Sequence, residues 1–487
     1  MVKATSAGSD ASRSDSLYLA LDQGGHSSRA IVMDASGQVF AKAQIAVSTN
    51  RTGSYVEQDP LELITSLKHC CNSIAEQLGE DLERIQSAGL ATQRSSIVCW
   101  DRSTGVAISP VLSWQDRRGF EFVESLEPYA ERIKNVTGLV LTPHYGASKI
   151  RWCLQELEEV KREYGRGNLV IGPLASYLTR QLTGSDDNLC DPANASRTQL
   201  WDFSSRAWSE ELCRLFDVDL TVLPKSVTTK YEFGDIRVGH QRVPLELVTG
   251  DQSAAIYAFG NPDSETLYIN MGTGAFMQLP SGLSPRFAPG LLNSVAYQDA
   301  DRTEYVMEGT VNGAGSALTW LAKQTGADPK VLVSQGLREL ESASPPIFVN
   351  GISGLGSPFW EGSLESNFSQ ESPGGLKALA VLESIAFLVL ENLERMRASG
   401  AKIDKILLSG GLSSVDYLCQ TIAELSAASV ERTSVKEASA RGLVHLLKKQ
   451  EVDFEATQSR GFELSENAGI QSRLLGWKAE MTRLLSS

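Results

Sequence analysis

Residues Leu17–Asp34 read LYLALDQGGHSSRAIVMD. Two apolar runs enclose one acid, two glycines and a string of small polar residues. The pattern predicts strands over Leu17–Leu21 and Arg29–Met33 around a glycine turn, with GQVFAKAQIAVS as a third strand of a meander. The turn has two readings. It is a hairpin turn that uses Gly and Asp for conformational reasons, or its backbone N–H groups cradle phosphate oxygens. In the second reading Asp22 holds magnesium through water, Ser27 and Ser28 add donors, and Arg29 adds charge. A nucleophile elbow is excluded, because GHSSR ends in Arg29 rather than glycine and a strand follows it. No G-x-x-x-x-G-K-[ST] segment occurs anywhere, which removes a P-loop nucleotide site.

The chain of 487 residues is long enough for two domains. Its 42% hydrophobic and 21% charged content is that of a globular protein. A net charge of −14 repels a nucleic acid backbone, so no nucleic acid partner is expected. No run approaches the ~18 apolar residues of a membrane span. Residues 1–16, MVKATSAGSDASRSDS, lack the apolar stretch of a secretory signal and read as a solvated, flexible tail. The cysteines (Cys70, Cys71, Cys99, Cys153, Cys190, Cys213 and Cys419) form no C-x-x-C pair and no zinc spacing. Reduced, buried thiols in a cytoplasmic protein are expected.

Further along, DPLELITSLKHCCNSIAEQL predicts a helix with Asp59 as N-cap and Pro60 at its first position. RIQSAGLATQ reads as a parallel-type strand and SSIVCWDRSTG as a strand and turn; helices dominate from Gly119 to Leu182. A second cycle begins near Val248. ETLYINMGTGAFMQL repeats the strand, Gly/Thr turn and strand; two helical segments follow; KIDKILLSGG is a strand ending in Gly410 and Gly411 with a helix directly after it. The plan is α/β and occurs twice, which suits two related lobes around a cleft. Asp251 in LVTGDQSAAIY lies between a strand end and a helix start, as a general base or an N-cap. Gly272, Thr273 and Gly274 form a turn, and Gly410–Gly411 before a helix N-terminus make an anion site. Each of these also has an ordinary packing explanation.

Taken in order, LALDQGGHSSRAIVMD, LATQRSS, SWQDRRG, TGLVLTPHYGASKIRW, TGDQSAA, MGTGAF, EGTVNGAGSALTWL, FVNGISGLGSPFW and LLSGGLSSVDYLCQTIAEL resemble the FGGY carbohydrate kinases, most closely the glycerol kinase pattern. The resemblance runs from about Leu17 to about Lys449. It implies an α/β fold of two actin-like (RNase H-like) lobes with an interlobe active-site cleft: a tail over 1–16, an N-terminal lobe over 17–249 and a C-terminal lobe over 250–487. It implies transfer of the γ-phosphate of ATP, with Mg2+, to a hydroxyl of a small sugar or polyol. Asp251 is then the catalytic base. Arg94, Ser95, Trp114, His144, Gln252 and Phe276 stand at substrate positions with Asp251. Asp22 stands at the magnesium position. Gly24, Gly25, His26, Ser27, Arg29, Gly272, Thr273, Gly315, Gly410 and Gly411 stand on the nucleotide side, Gly315 near the base. A homodimer or homotetramer is common among such relatives.

Some positions depart from the glycerol kinase pattern: Ser95 replaces a glutamate, His144 a tyrosine, and Gly25 and His26 two threonines. Loss of the glutamate removes an acceptor for a polyol hydroxyl, and polar pockets discriminate through such contacts. This directs attention to acceptors other than glycerol. His26 is a phosphate donor or a neutral turn residue; His144 is a substrate donor or a packed loop residue. Two other readings stand beside the kinase: a catalytically weak, sugar- or nucleotide-binding regulatory relative, suggested by the altered turn and Ser95, and an actin-like ATPase acting on proteins. Retention of Asp251, and the Arg94 and Trp114 segments, favour the kinase.

Overall fold

In a computed structural model the described residues are 16–448, Phe454 and 458–486. The tail expected over 1–16 lies outside them, apart from Ser16. The Leu17–Asp34 stretch forms β1 (Leu17–Gln23) and β2 (Ser27–Asp34), and β3 (Val39–Ala46) completes the antiparallel meander. After helix α1 (Pro60–Leu78), β4 (Ile85–Thr92) pairs parallel with β1. Asp59 caps α1 by accepting the Leu61 N–H at 2.8 Å. With β5 (Asp235–Val238) and β6 (Gln241–Gly250) the first sheet runs β5-β6-β4-β1-β2-β3.

Strand β1 is buried along its whole length, and the twofold strand period assigns its side chains to two different cores. Leu17, Leu19 and Leu21 pack with Leu63, Leu67 and Cys70 of α1. Tyr18 and Ala20 face the opposite side. A small five-stranded antiparallel sheet stands beside this lobe, in the order Asn50–Thr52, Tyr55–Gln58, Val111–Leu112, Ile97–Asp101, Leu169–Pro173. Its last strand interrupts the helices expected from Gly119 to Leu182; a five-residue apolar run is too short for periodicity to tell strand from helix. Among those helices is α2 (Gly146–Glu156).

Helix α3 (Asp251–Ala255) leaves β6 directly. The second sheet repeats the plan. Strands β7 (Thr266–Met271), β8 (Ala275–Gly282), β9 (Leu292–Gln298), β10 (Thr303–Val311), β11 (Lys405–Ser409), β12 (Ser429–Thr433) and β13 (Ser459–Phe462) run in the order β9-β10-β8-β7-β11-β12-β13. In both sheets an antiparallel hairpin is followed inward by two parallel neighbours. Helices α4 (Gly315–Thr325), α5 (Gly374–Ala398), α6 (Asp416–Ser426) and α7 (Ala438–Leu447) complete the elements used below. Helix α5 is apolar nearly all round and fills the second core.

Helix α7 lies between β12 and β13 of the second sheet in sequence but packs on the first sheet. Leu443, Val444 and Leu447 meet Tyr18, Ala20 and Met33, on the face opposite α1. Gly442 lies against the Ala254 carbonyl, an approach that leaves no room for a Cβ. All seven cysteines are buried and unpaired.

Candidate active site

Strands β1, β4 and β6 run parallel and end level with one another, Gln23 beside Thr92 and Thr92 beside Gly250. The loops leaving the carboxyl ends of such strands form the crevice of an open α/β sheet. Register therefore brings Asp22, the Gln93–Ser95 loop and Asp251 to one edge, although they lie far apart in sequence.

Asp251 is the first residue of α3, and Gly250 takes the cap position. Its Oδ1 accepts the Gln252 N–H at 2.7 Å. Desolvation holds its carboxyl above the usual range, against the pull of Arg94, the Gln252 N–H and Arg197. Asp22 is 7% exposed. Burial, then the field of Asp251, pushes it up to about 7, opposed by Arg29. Arg29 approaches Asp22 at 3.5 Å and Glu437 of the α7 cap at 3.4 Å, and Lys42 also grips Glu437. The charge assigned to the nucleotide side by sequence is thus already shared with two carboxylates.

Arg94 crosses to the second lobe and donates to Glu308 Oε1 at 2.7 Å, while Arg197 holds Glu308 Oε2 at 2.9 Å. Burial alone would raise Glu308; the two guanidiniums hold it below the ordinary value instead. Ser95 follows with φ +64 and a buried hydroxyl. Trp114 and His144 meet edge to face at 5.4 Å between ring centroids. Burial, with Lys149, Arg197, Arg117 and Arg94 around it, keeps the half-buried His144 neutral to well below its usual titration range. Among the described residues Ser95 Oγ, Gln93 Oε1, Gln252 Oε1 and Arg197 Nε and Nη1 are buried without hydrogen-bond partners. Each such group costs about 1–3 kcal/mol. Hydroxyl groups are chemically suited to pair with such donors and acceptors.

The first turn is compact: the Gly24 N–H donates to Ser27 O at 3.0 Å. Neither Gly24 nor Gly25 adopts a left-handed φ, so conformation does not account for the glycines. A Cβ at Gly25 would stand 3.3 Å from Gln93 Oε1 and 3.7 Å from Trp114 Nε1. His26 is exposed at the tip and Ser27 is buried. The Ser28 hydroxyl expected as a ligand donor is enclosed, bonded to Gln23 and Ser66 at 2.7 and 2.6 Å.

On the second sheet the parallel pair β7 and β11 ends in Gly272–Thr273 and Gly410–Gly411, side by side. Gly272 and Thr273 are exposed, and the half-buried Phe276 lies on β8 beside them. The Gly315 N–H donates to Gly272 O at 3.0 Å, and a Cβ there would stand 2.6 Å from that oxygen. Gly315 therefore supports the turn from beneath, a structural demand for glycine separate from any base contact. Gly410 needs glycine for its φ of +86 and for its approach to Asn270 and Met271. Gly411 has neither reason: nothing lies within 4 Å of a Cβ built on it. The helix expected directly after Gly411 starts at Asp416 instead. The Ser413 and Ser414 hydroxyls each donate at 2.7 Å to Gly410 O and Gly411 O, closing a tight turn first.

Among the described residues no group of three or more His, Cys, Asp or Glu forms a metal cage. Asp22 and Asp251 supply two hard oxygen donors within each other's field. That set fits a magnesium ion that takes one or two carboxylates and completes its shell with phosphate oxygens and water. Glu308, Arg197 and Lys149 were not singled out by sequence. Glu308 carried a signal, a lone charge inside an apolar run (YVMEGTV); Lys149 shares its segment GASKIRWC with Arg151, and Arg197 carried none.

Residues 17–257 match the model for the N-terminal domain, and residues 267–447 that for the C-terminal domain, of the FGGY family of carbohydrate kinases. A glycerol kinase of Citrifermentans bemidjiense is 32% identical over 445 residues, 88% of this chain and 89% of that one. Among solved structures, glycerol kinase of Plasmodium falciparum with ADP superposes with a TM-score of 0.86 at 23% identity, covering 96% of this chain and 98% of the other. A xylulose kinase of Brucella ovis gives 0.85 at 21%, covering 96% and 99%.

Proposed function

Because the chain belongs to the FGGY family of carbohydrate kinases, a sugar or polyol kinase with the two-lobed actin-like α/β fold, we propose how its own residues divide the phosphotransfer. The observation that carries the reading is Asp251, an acid desolvated at the end of β6 and set between Arg94 and Asp22. Asp251 takes the proton of the acceptor hydroxyl as that oxygen attacks the γ-phosphate of ATP. Arg94, through its fixed bond to Glu308, and Gln252 orient the acceptor; Ser95, Trp114, His144 and Phe276 line it. The turns at Gly24–Ser27 and Gly272–Thr273 offer backbone N–H groups to the phosphates, and Gly410–Gly411 with Gly315 serve the rest of the nucleotide. Asp22, with Asp251 nearby, would hold Mg2+, which supplies charge neutralisation when bound. Phosphoryl transfer asks mainly for in-line placement and charge compensation, which these groups provide.

Ser95 has no carboxylate to offer a glycerol hydroxyl, which supports a longer polyol or sugar as acceptor. Seven unpaired thiols support a reducing, cytoplasmic setting, and no helix among the described residues is long and apolar enough to cross a membrane. A homodimer or homotetramer is carried over from the resemblance, and light scattering reads it directly.

The test is ADP release from ATP and Mg2+ against glycerol, tetritols, pentitols, pentuloses and hexuloses, with Asp251→Asn as control. Release that depends on one compound and disappears in the variant supports the assignment and names the acceptor. Undiminished release by Asp251→Asn overturns Asp251 as base. No release with any compound overturns the acceptor class.

A further inference from the structure

Lys149, in the first turn of α2, is fully enclosed. Its Nζ donates to two backbone carbonyls, Ser95 O at 3.0 Å and His144 O at 2.7 Å. Neither partner is a carboxylate. An amine buried against carbonyls alone is costly, and here burial pushes it down to about 7, with Asp116 opposing and Arg118 adding to the shift. A methionine would fill similar space without that desolvation cost but would withdraw the donor from both carbonyls, so what the lysine supplies is the tie between them.

The two carbonyls belong to separate loops. One follows β4 and carries Arg94 and Ser95; the other precedes α2 and carries His144. Ser95 is held at φ +64, a conformation serine seldom adopts. Such a residue persists only where its surroundings over-determine it. Lys149 supplies one constraint. Ser96 supplies others, its hydroxyl accepting the Trp114 N–H at 3.0 Å and its carbonyl the Leu174 N–H at 2.9 Å.

We propose that Lys149 is a positioning residue for phosphoryl transfer: its amine ties the Arg94–Ser95 loop to the His144 loop and so sets the width of the acceptor pocket. The inference rests on the reading above that the acceptor binds among Arg94, Ser95, Trp114, His144 and Asp251. Lys149 acts through these groups and does not itself contact the substrate.

The full-length chain carrying Lys149→Met is compared with wild type on the shortest and longest acceptors that the wild type uses. Displacing a pocket wall by about 1 Å is enough to cost on the order of 10²-fold, so kcat/KM for the acceptor should fall by about that factor. The KM for ATP stays within about twofold, and the preference between short and long acceptors shifts. Lys149→Gln, which keeps amide donors on a shorter stem, should lie between. Unchanged acceptor kinetics, or a parallel rise in the KM for ATP, overturns the proposal. So does failure of both variants to give folded, ATP-binding protein, since Lys149 would then serve the fold. Wild-type release that is insensitive to Lys149 defeats this inference alone; absence of acceptor-dependent release in wild type defeats the functional reading and this inference with it.

Discussion

At the carboxyl edge of the first sheet the chain places side-chain charge. Asp22 and Arg94 are buried and Asp251 half-buried, each within the field of another. At the matching edge of the second sheet it places bare backbone, with Gly272, Thr273, Gly410 and Gly411 all exposed. The strand plan behind both edges is the same, so the difference belongs to the loops. A group that must accept a proton has to titrate, and burial among charges tunes it. A group that holds a polyphosphate needs many donors at close approach, and uncharged backbone N–H groups provide them. In the proposed function the charged edge would activate the acceptor and, through the Gly24–Ser27 turn, meet the phosphates, while the backbone edge would hold the rest of the nucleotide.

That division can be broken by substitution. The largest effect is expected from Asp251→Asn: kcat falls by about 10²- to 10⁴-fold while ATP binding, read by calorimetry, is retained. Glu308→Gln strips the shared partner from two buried guanidiniums. Denaturant unfolding should show a loss of about 3–5 kcal/mol, and Arg94 loses its anchor.

On the other edge, two adjacent glycines separate structure from binding. Gly411→Ala should raise the KM for ATP by about tenfold, ~1.4 kcal/mol of binding, with stability changed by less than about 0.5 kcal/mol. Gly410→Ala should destabilise by more than about 1 kcal/mol, because of its positive φ and the Asn270 and Met271 contacts. If both variants behave alike, the backbone edge has no distinct binding role.

Asp22 sharpens the comparison through pH. Its carboxyl stands at about 7 in the fold against about 3.9 unfolded. The folded state therefore binds the extra proton in between. Its contribution to stability is full below about pH 4 and is lost as pH rises through about 7. The Tm of wild type minus that of Asp22→Asn should decline from about pH 5 to about pH 8. The smallest effect is expected from His26→Ala, exposed at the turn tip: stability within about 0.5 kcal/mol and a modest rise in the KM for ATP. An effect as large as that of Gly411→Ala would move His26 into the phosphate contacts.

The readings that held were local. Asp59 caps α1 as its spacing with Pro60 suggested, and β1 and β2 form the hairpin whose alternation was visible in eighteen residues. The ordered series of short motifs was enough to indicate the family and the position of Asp251. What escaped notice depends on distance. Glu308 meets Arg94 across 214 positions, and Lys149 meets Ser95 across 54. Helix α7 was legible as a helix, but not its docking on the opposite lobe's sheet through Gly442 and Ala254. The start of α6 was misplaced because two serine hydroxyls close a turn that competes with the helix.

Periodicity, caps and turn residues act within a few residues of one another, so chain order alone was sufficient for the first hairpin, the capped helix α1 and the succession of loops that mark a carbohydrate kinase, though not for the Leu169–Pro173 strand or the start of α6. Which charges face which, and how far Asp22, Asp251, His144 and Lys149 move from their ordinary titration, came only with the folded arrangement. Burial and electrostatic field at a point are sums over every segment packed around it, and no single segment contains that sum.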